Sequence, residues 1–222
     1  MKKTILTALF LLVTVGIFAQ NYANKQFALI NYNLKITKEI REDLKPLNSY
    51  IESAQVHNKE AKDRLKALIV HHLYYNMTPM LEDSLQISIL PINSFMQAVK
   101  YDPFGYPKAS ISKAMREGDS PYYFKVEIKL DSKTQERREK NPDLAEEVTF
   151  PRYDIDITVY NNEGILPVDR WHGEHQADKP LKVEQALFGS FTERGQDDTG
   201  RVTLATLHRK AVKDLINGHL NE

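Results

Sequence analysis

"YFKVEIKLD", residues 123–131, decides the fold. Phe124, Val126, Ile128 and Leu130 alternate with Lys125, Glu127, Lys129 and Asp131, and a period of two puts the two sets on opposite faces of a strand. One face therefore meets a core and the other meets water. The same grammar returns in "YDIDITVY", residues 153–160, where Tyr153, Ile155, Ile157 and Val159 alternate with Asp154, Asp156 and Thr158. "NNEG", residues 161–164, then reads as a turn in which Gly164 supplies a positive φ. A loop of those residues would set Val159 opposite Leu166 and Ile157 opposite Val168, keeping apolar side chains together. Pro167 cannot donate a ladder hydrogen bond, so the return strand is expected at a sheet edge.

Outward from this hairpin the pattern alternates between strands and helices. "QFALINYN" (26–33) reads as a short buried strand. In residues 37–54, Ile40, Leu44, Leu47 and Ile51 recur on one helical face behind a Thr37 cap, with Pro46 predicting a kink or two short helices. A longer helix opens at Asn58, carries Ala61, Leu65, Leu68, Ile69, His72, Leu73 and Met80 on one side, and is expected to end near Pro79. "LQISIL" (85–90) alternates as a strand does and stops at Pro91. Residues 93–118 are irregular, with the loop "YDPFGYP" (101–107) and a short helix around 109–116. A last helix shows Leu204, Leu207, Ala211 and Leu215 on one side, with Gly218 as its C-terminal signal and a glycine-rich connection (188–201) ahead of it.

This order predicts an α/β (α+β) fold: a mixed sheet of four to five strands that includes the hairpin of the C-terminal half, with helices mainly on one face. One domain is expected over residues 20–222, carrying a charged insertion at about 132–150 that reads as a solvated excursion with a helical turn.

The first residues set the expected compartment. "MKKTILTALFLLVTVGIFAQ" has Lys2 and Lys3, an apolar run from Ile5 to Val15 and small or apolar residues down to Ala19, the pattern of a secretory signal peptide over residues 1–19. The run is shorter than the roughly 20 residues that span a bilayer, so no transmembrane segment is expected after cleavage and the location is periplasmic or secreted. With no cysteine in the chain, disulfides, thiolate metal sites, a cysteine nucleophile and a lipid-bearing cysteine are all excluded. Thirty basic residues balance thirty acidic ones, which leaves no net field to draw nucleic acid or an anionic membrane.

Candidate chemistry is sparse. "VDRWHGEH", residues 168–175, places His172 and His175 around Gly173 and Glu174, beside the single tryptophan, Trp171. Residues three apart on a strand point to opposite faces, so both imidazoles reach one metal only if Gly173 breaks the strand. The helical zinc spacing of histidines four apart is missing. Asp154 and Asp156 share a face as paired carboxylates, yet Lys125 and Lys129 on a matching strand make them a charged solvent face. In the long helix His72 is expected on the apolar face and His71 on the polar flank. Tyr101, Phe104 and Tyr106 of the aromatic loop either fold back on the core or form a contact surface. Phosphate-loop, nucleophile-elbow and metalloprotease signatures are absent, and no cofactor is implied.

"ALIVHHLYYNMTPMLEDSLQISILPI", a helix feeding a strand that ends in proline, and "DIDITVYNNEGILPVDRWHGE", a hairpin ahead of a C-terminal helix, resemble the α/β domains of envelope accessory proteins. These are the curli-secretion lipoprotein, the lipoprotein activators of penicillin-binding proteins and the amino-terminal part of the Tol-system propeller protein. The resemblance runs over residues 58–216 as an order of elements, and this chain departs from it by lacking the lipid-bearing cysteine and by the charged segment after Asp131. It implies an exported, non-enzymatic binding or assembly role with another envelope protein as partner, and carries over no individual residue. On this reading the contact residues are Tyr101, Phe104, Tyr106 and Trp171. The alternatives are an exported metal-dependent hydrolase centred on His172, Glu174 and His175 with Asp154 or Asp156, and a carrier of a small apolar ligand between sheet and helices.

Overall fold

The computed structural model describes residues 22–45, 64–137, 146–181 and 202–221. The signal segment, the Pro46 kink, the Asn58 cap with Ala61, the middle of the charged segment and the glycine-rich connection lie outside the described residues. The element order is β1 (Gln26–Ile36), α1 (Lys38–Asp43), α2 (Arg64–Leu85), β2 (Ser88–Ile89), α3 (Ile111–Glu117), β3 (Tyr122–Arg137), β4 (Glu146–Asn161), β5 (Asp169–Gln176) and α4 (Leu204–Leu220). The strands form one mixed sheet in the order β2-β1-β3-β4-β5. β1 runs parallel to both β2 and β3, and β3, β4 and β5 are successively antiparallel. This is the mixed α/β architecture that the alternating segments predict.

Phe124, Val126, Ile128 and Leu130 of β3 and Tyr153, Ile155, Ile157 and Val159 of β4 are all buried on one face. They form a single core with Ile40 and Leu44 around α1, Ile69, Leu73 and Met77 of α2, and Leu204, Leu207, Ala211 and Leu215 of α4. Each of the Val, Leu, Ile, Phe and Met side chains removed from water contributes about 1.5–3 kcal/mol, which is why the apolar faces of helices and sheet seek one another.

The sequence reading needs several local corrections. α2 continues through Pro79 to Leu85. The ring removes one helical hydrogen bond, to the carbonyl of Tyr75, but Tyr75 and Pro79 both lie on the exposed side, where a freed carbonyl is open to solvent and costs little. Leu85 therefore belongs to the helix, Gln86 turns the chain at φ 54°, and the strand expected over 85–90 shrinks to Ser88–Ile89. α4 likewise passes Gly218 and is capped at Asn221, whose backbone N–H donates to the Gly218 carbonyl.

The hairpin register differs more. Val159 pairs with Asp169, Ile157 with Trp171 and Ile155 with Gly173. The connection is residues 162–168, which leaves Ile165, Leu166 and Val168 exposed and gives Gly164 no positive φ. β5 is an edge strand as Pro167 implied, although Pro167 itself precedes it. The flanks of the charged segment also depart from expectation: they continue the β3–β4 ladder out to the pair Arg137 and Glu146 instead of forming an excursion with a helical turn.

The second face of the sheet is only partly wet. A bulge at Ile30 lets Leu29 pair with Phe124 and Asn31 with Lys125, so Ile30 and Asn31 both point to this face. Ala28, Ile30 and Tyr123 there meet Phe95, Val99 and Ala114 in a small second core beneath the 90–118 segment. Ser110 starts α3 by accepting from the Lys113 N–H with its side chain.

Candidate functional site

Asp154 and Asp156 sit side by side on the outer face of β4, with Glu174 and His172 directly opposite on β5 and Lys129 and Glu127 opposite on β3. The Arg152 Nε donates to Asp154 Oδ1 at 2.8 Å, and the same guanidinium also pairs with Glu174. Lys125 pairs with Glu127 at 3.3 Å, and Lys129 pairs with Asp131. Asp131 is held below the usual carboxylate range by the Lys129 ammonium and the Ser132 N–H, against the opposing effect of its desolvation. His172 Nδ1 lies 2.8 Å from Asp156 Oδ1, with side-chain exposures of 54% and 60%. At such exposure water screens this pair, and its contribution is about 0–1 kcal/mol. This is a lattice of neighbouring charges on an open sheet face, and nothing encloses a reacting atom between the carboxylates.

His175 projects from the opposite face. It pairs in register with Tyr153, and burial followed by the Lys210 charge pushes its pKa down. The two imidazoles of "WHGEH" thus lie on different sides of an unbroken strand, and among the described residues no three His, Asp or Glu side chains are placed to hold a metal. The hydrolase alternative finds no support in this geometry. Gly173 has a different reason to be there: a β-carbon on it would lie 2.2 Å from the Ala211 carbonyl oxygen and 2.6 Å from the Leu215 backbone nitrogen. Helix α4 crosses β5 at this point, and only glycine admits it.

Trp171 is buried, 3% exposed. Its Nε1–H donates to Asp169 Oδ2 at 2.8 Å, and the same oxygen accepts from the Tyr22 hydroxyl at 3.0 Å. The indole packs against Tyr22, Phe27 and His219. Tyr106 is also buried; its ring stacks on Tyr32 at 4.8 Å and meets Tyr74 edge-on. Of the two courses open to these aromatics, Trp171 and Tyr106 take the inward one: apolar area and a satisfiable polar atom draw both side chains into the core. Tyr101 and Phe104 are half-buried, and the Lys66 ammonium stands 5.7 Å over the Phe104 ring. The loop is drawn inward by Asp102, whose Oδ1 accepts from the backbone N–H groups of Phe104 and Tyr106, and by Gly105 at φ 87°. In α2, His71 is exposed and His72 half-buried, its pKa lowered by burial and by the neighbouring His71.

Three features escape the sequence reading. Tyr153 and His208 are fully buried and joined at 2.8 Å between the hydroxyl and Nδ1. The 162–168 connection exposes three large apolar side chains. On the outer face, a groove of about 470 Å³ lies between β1, β3 and the 102–111 segment. Its one trace in the sequence is a pair of asparagines, Asn31 and Asn33, inside a strand where that residue is uncommon.

No protein-family description and no curated protein matches the chain. Solved structures do. A hypothetical protein from Chlamydia trachomatis has a TM-score of 0.39 at 9% identity, over 90% of this chain and 95% of that one. PelC from Paraburkholderia phytofirmans, a dodecamer, has a TM-score of 0.31 at 10% identity, over 72% of this chain and 75% of the other. A lipoprotein from Neisseria meningitidis has a TM-score of 0.35 at 6% identity, over 74% and 90%. These are likenesses in the course of the backbone, and no activity, ligand or partner passes from them to this chain.

Proposed function

We propose that this chain is an exported, non-enzymatic binding or assembly protein of a cell envelope, acting in the periplasm or outside the cell through contact with another envelope protein. The observation that carries this reading is the β4–β5 connection. Ile165, Leu166 and Val168 are 59%, 75% and 36% exposed, whereas comparable side chains in the middle of β1, β3 and β4 are buried. Adjacent large apolar side chains held on a hairpin tip are what a partner surface requires. The half-buried Tyr101 and Phe104 add a second contact patch, with Tyr106 supporting the loop from below. Among the described residues no helix is long and apolar enough to cross a membrane, and the outer-face charges neutralise one another in place.

Affinity purification of the tagged full-length chain from its native envelope, after mild cross-linking, tests the reading. Serine at both Ile165 and Leu166 should abolish capture of a stoichiometric partner while leaving thermal melting unchanged, and Phe104→Ala should weaken capture. A partner retained by the double-serine variant, or no partner for the unaltered chain, would refute the proposal.

A further inference from the structure

A different set of residues, on the outer face of the sheet, carries a second inference. The bulge at Ile30 aims Asn31 outward beside Lys125, and two residues on, Asn33 stands beside Glu127. Both asparagines are half-buried, and neither side-chain amide has a hydrogen-bonding partner among the described residues. Asparagine is disfavoured in a strand, and here two of them turn water-accessible amides toward one hollow. They border the groove of about 470 Å³, a volume within the range of small-molecule sites. Tyr160, half-buried, closes one side.

The opposite wall is built before any ligand arrives. The Ala109 N–H donates to the Ile30 carbonyl at 3.0 Å, the Lys108 N–H to the Lys100 carbonyl at 2.8 Å, and Asp102 clamps its own loop. A wall fixed in this way loses little conformational freedom on binding.

We propose that this groove binds a neutral saccharide. Lys108 and Lys125 are matched by Asp102 and Glu127, so the lining has no excess charge to hold a phosphate or a carboxylate. What it presents is a row of groups that donate and accept side by side: two amides and the Lys125–Glu127 pair at 3.3 Å. Hydroxyls also donate and accept, and a sugar ring carries them on adjacent carbons, so one ring can satisfy an amide at both of its ends. The ring of Tyr160 offers an apolar flank to the C–H face of the same sugar. The proposal shares only Asp102 with the protein-contact reading, which uses residues 165–168 and the 101–104 loop, and the Asn33 variants that test it leave that loop unaltered.

The test is two-dimensional ¹H–¹⁵N NMR on the full-length mature chain, with N-acetylglucosamine, galactose and cellobiose added separately at millimolar concentration and inorganic phosphate as the charged control. At least one sugar should shift the side-chain amide signals of Asn31 and Asn33 saturably. Asn33→Ala should weaken that binding about tenfold, as loss of one or two hydrogen bonds requires. Asn33→Asp, which keeps the shape and replaces the donor by an anion beside Glu127, should weaken it similarly and decides the matter if the alanine variant fails to fold. The proposal is overturned if no sugar moves those signals, if phosphate moves them and the sugars do not, or if folded Asn33→Asp binds as tightly as the unaltered chain.

Discussion

Gly173 and Leu215 approach so closely that a β-carbon on the glycine would lie 2.6 Å from both the backbone nitrogen and the β-carbon of Leu215. The β5 edge and helix α4 are in contact through backbone, and the Asp214 carboxylate next to Leu215 accepts the Glu174 N–H at 3.0 Å. That bond occupies an edge-strand donor that would otherwise invite another strand. Gly173→Ala is therefore expected to cost about 3 kcal/mol, because the obstacle is backbone and cannot rotate away. Gly164→Ala, with open space around it and no positive φ, is expected to change stability by less than about 0.5 kcal/mol. Chemical denaturation of the two variants side by side checks this.

The Asp169 carboxylate ties the indole of Trp171 and the hydroxyl of Tyr22 to one oxygen, with His219 Nδ1 at 3.7 Å. Trp171→Ala should lose about 3–5 kcal/mol by leaving a cavity among aromatic rings. Trp171→Phe keeps most of the packing and gives up the Nε1–H bond, so a smaller loss of about 1–2 kcal/mol is expected. Thermal melting of the pair separates the two contributions; equal melting temperatures for both variants and the unaltered chain would place the indole outside the core.

Breaking the outer-face lattice should matter little. Arg152→Met removes the partner of Asp154 and Glu174, yet the arginine side chain is 41% exposed, and the expected cost is under about 1 kcal/mol. Zinc added to the unaltered chain and to His172→Ala should leave both melting curves unmoved. A zinc-dependent rise in melting temperature that disappears in His172→Ala would restore the metal-site reading.

The legible part of the fold is the part written in periods. Alternation in 124–130 and 153–159 marks the buried face residue by residue, and the 3.6-residue spacing marks α2 and α4. What it misses depends on contacts distant in sequence. The hairpin register fails because apolar matching places Val168 against Ile157, whereas the space on that face is already assigned to Trp171, whose aromatic neighbours Tyr22 and Phe27 come from the other end of the chain. Pro79 fails as a helix stop because a missing hydrogen bond matters only where water cannot replace it. The groove was invisible because the bulge at Ile30 reverses the parity of β1, so that counting by twos from Phe27 assigns Asn31 and Asn33 to the core side. His208 offered no local sign at all: its phenolic partner lies 55 positions away on β4.

That buried pair couples the stability of the fold to pH. His208 is fully buried in α4, and burial, reinforced by the Arg209 charge, lowers its pKa from 6.5 to about 3. Burial also raises the Tyr153 hydroxyl far above its ordinary value, so the phenol stays protonated in its hydrogen bond with Nδ1 of a neutral imidazole. The unfolded chain accepts a proton on this histidine near pH 6.5, whereas the folded chain resists it until about pH 3. Protonation therefore favours unfolding throughout that window. The stabilisation is complete above pH 6.5 and declines as the pH falls through the window, by up to about 1.4 kcal/mol per unit and on the order of 3–5 kcal/mol in all. Urea denaturation from pH 7.5 to 4 should show this slope in the unaltered chain. His208→Gln keeps an acceptor near the phenol and has no proton to take up, so its profile should be flatter by one proton over the same range. Parallel profiles for the two proteins would mean that His208 titrates in the folded state as it does in the unfolded one, and that its burial beside Tyr153 does not couple folding to pH.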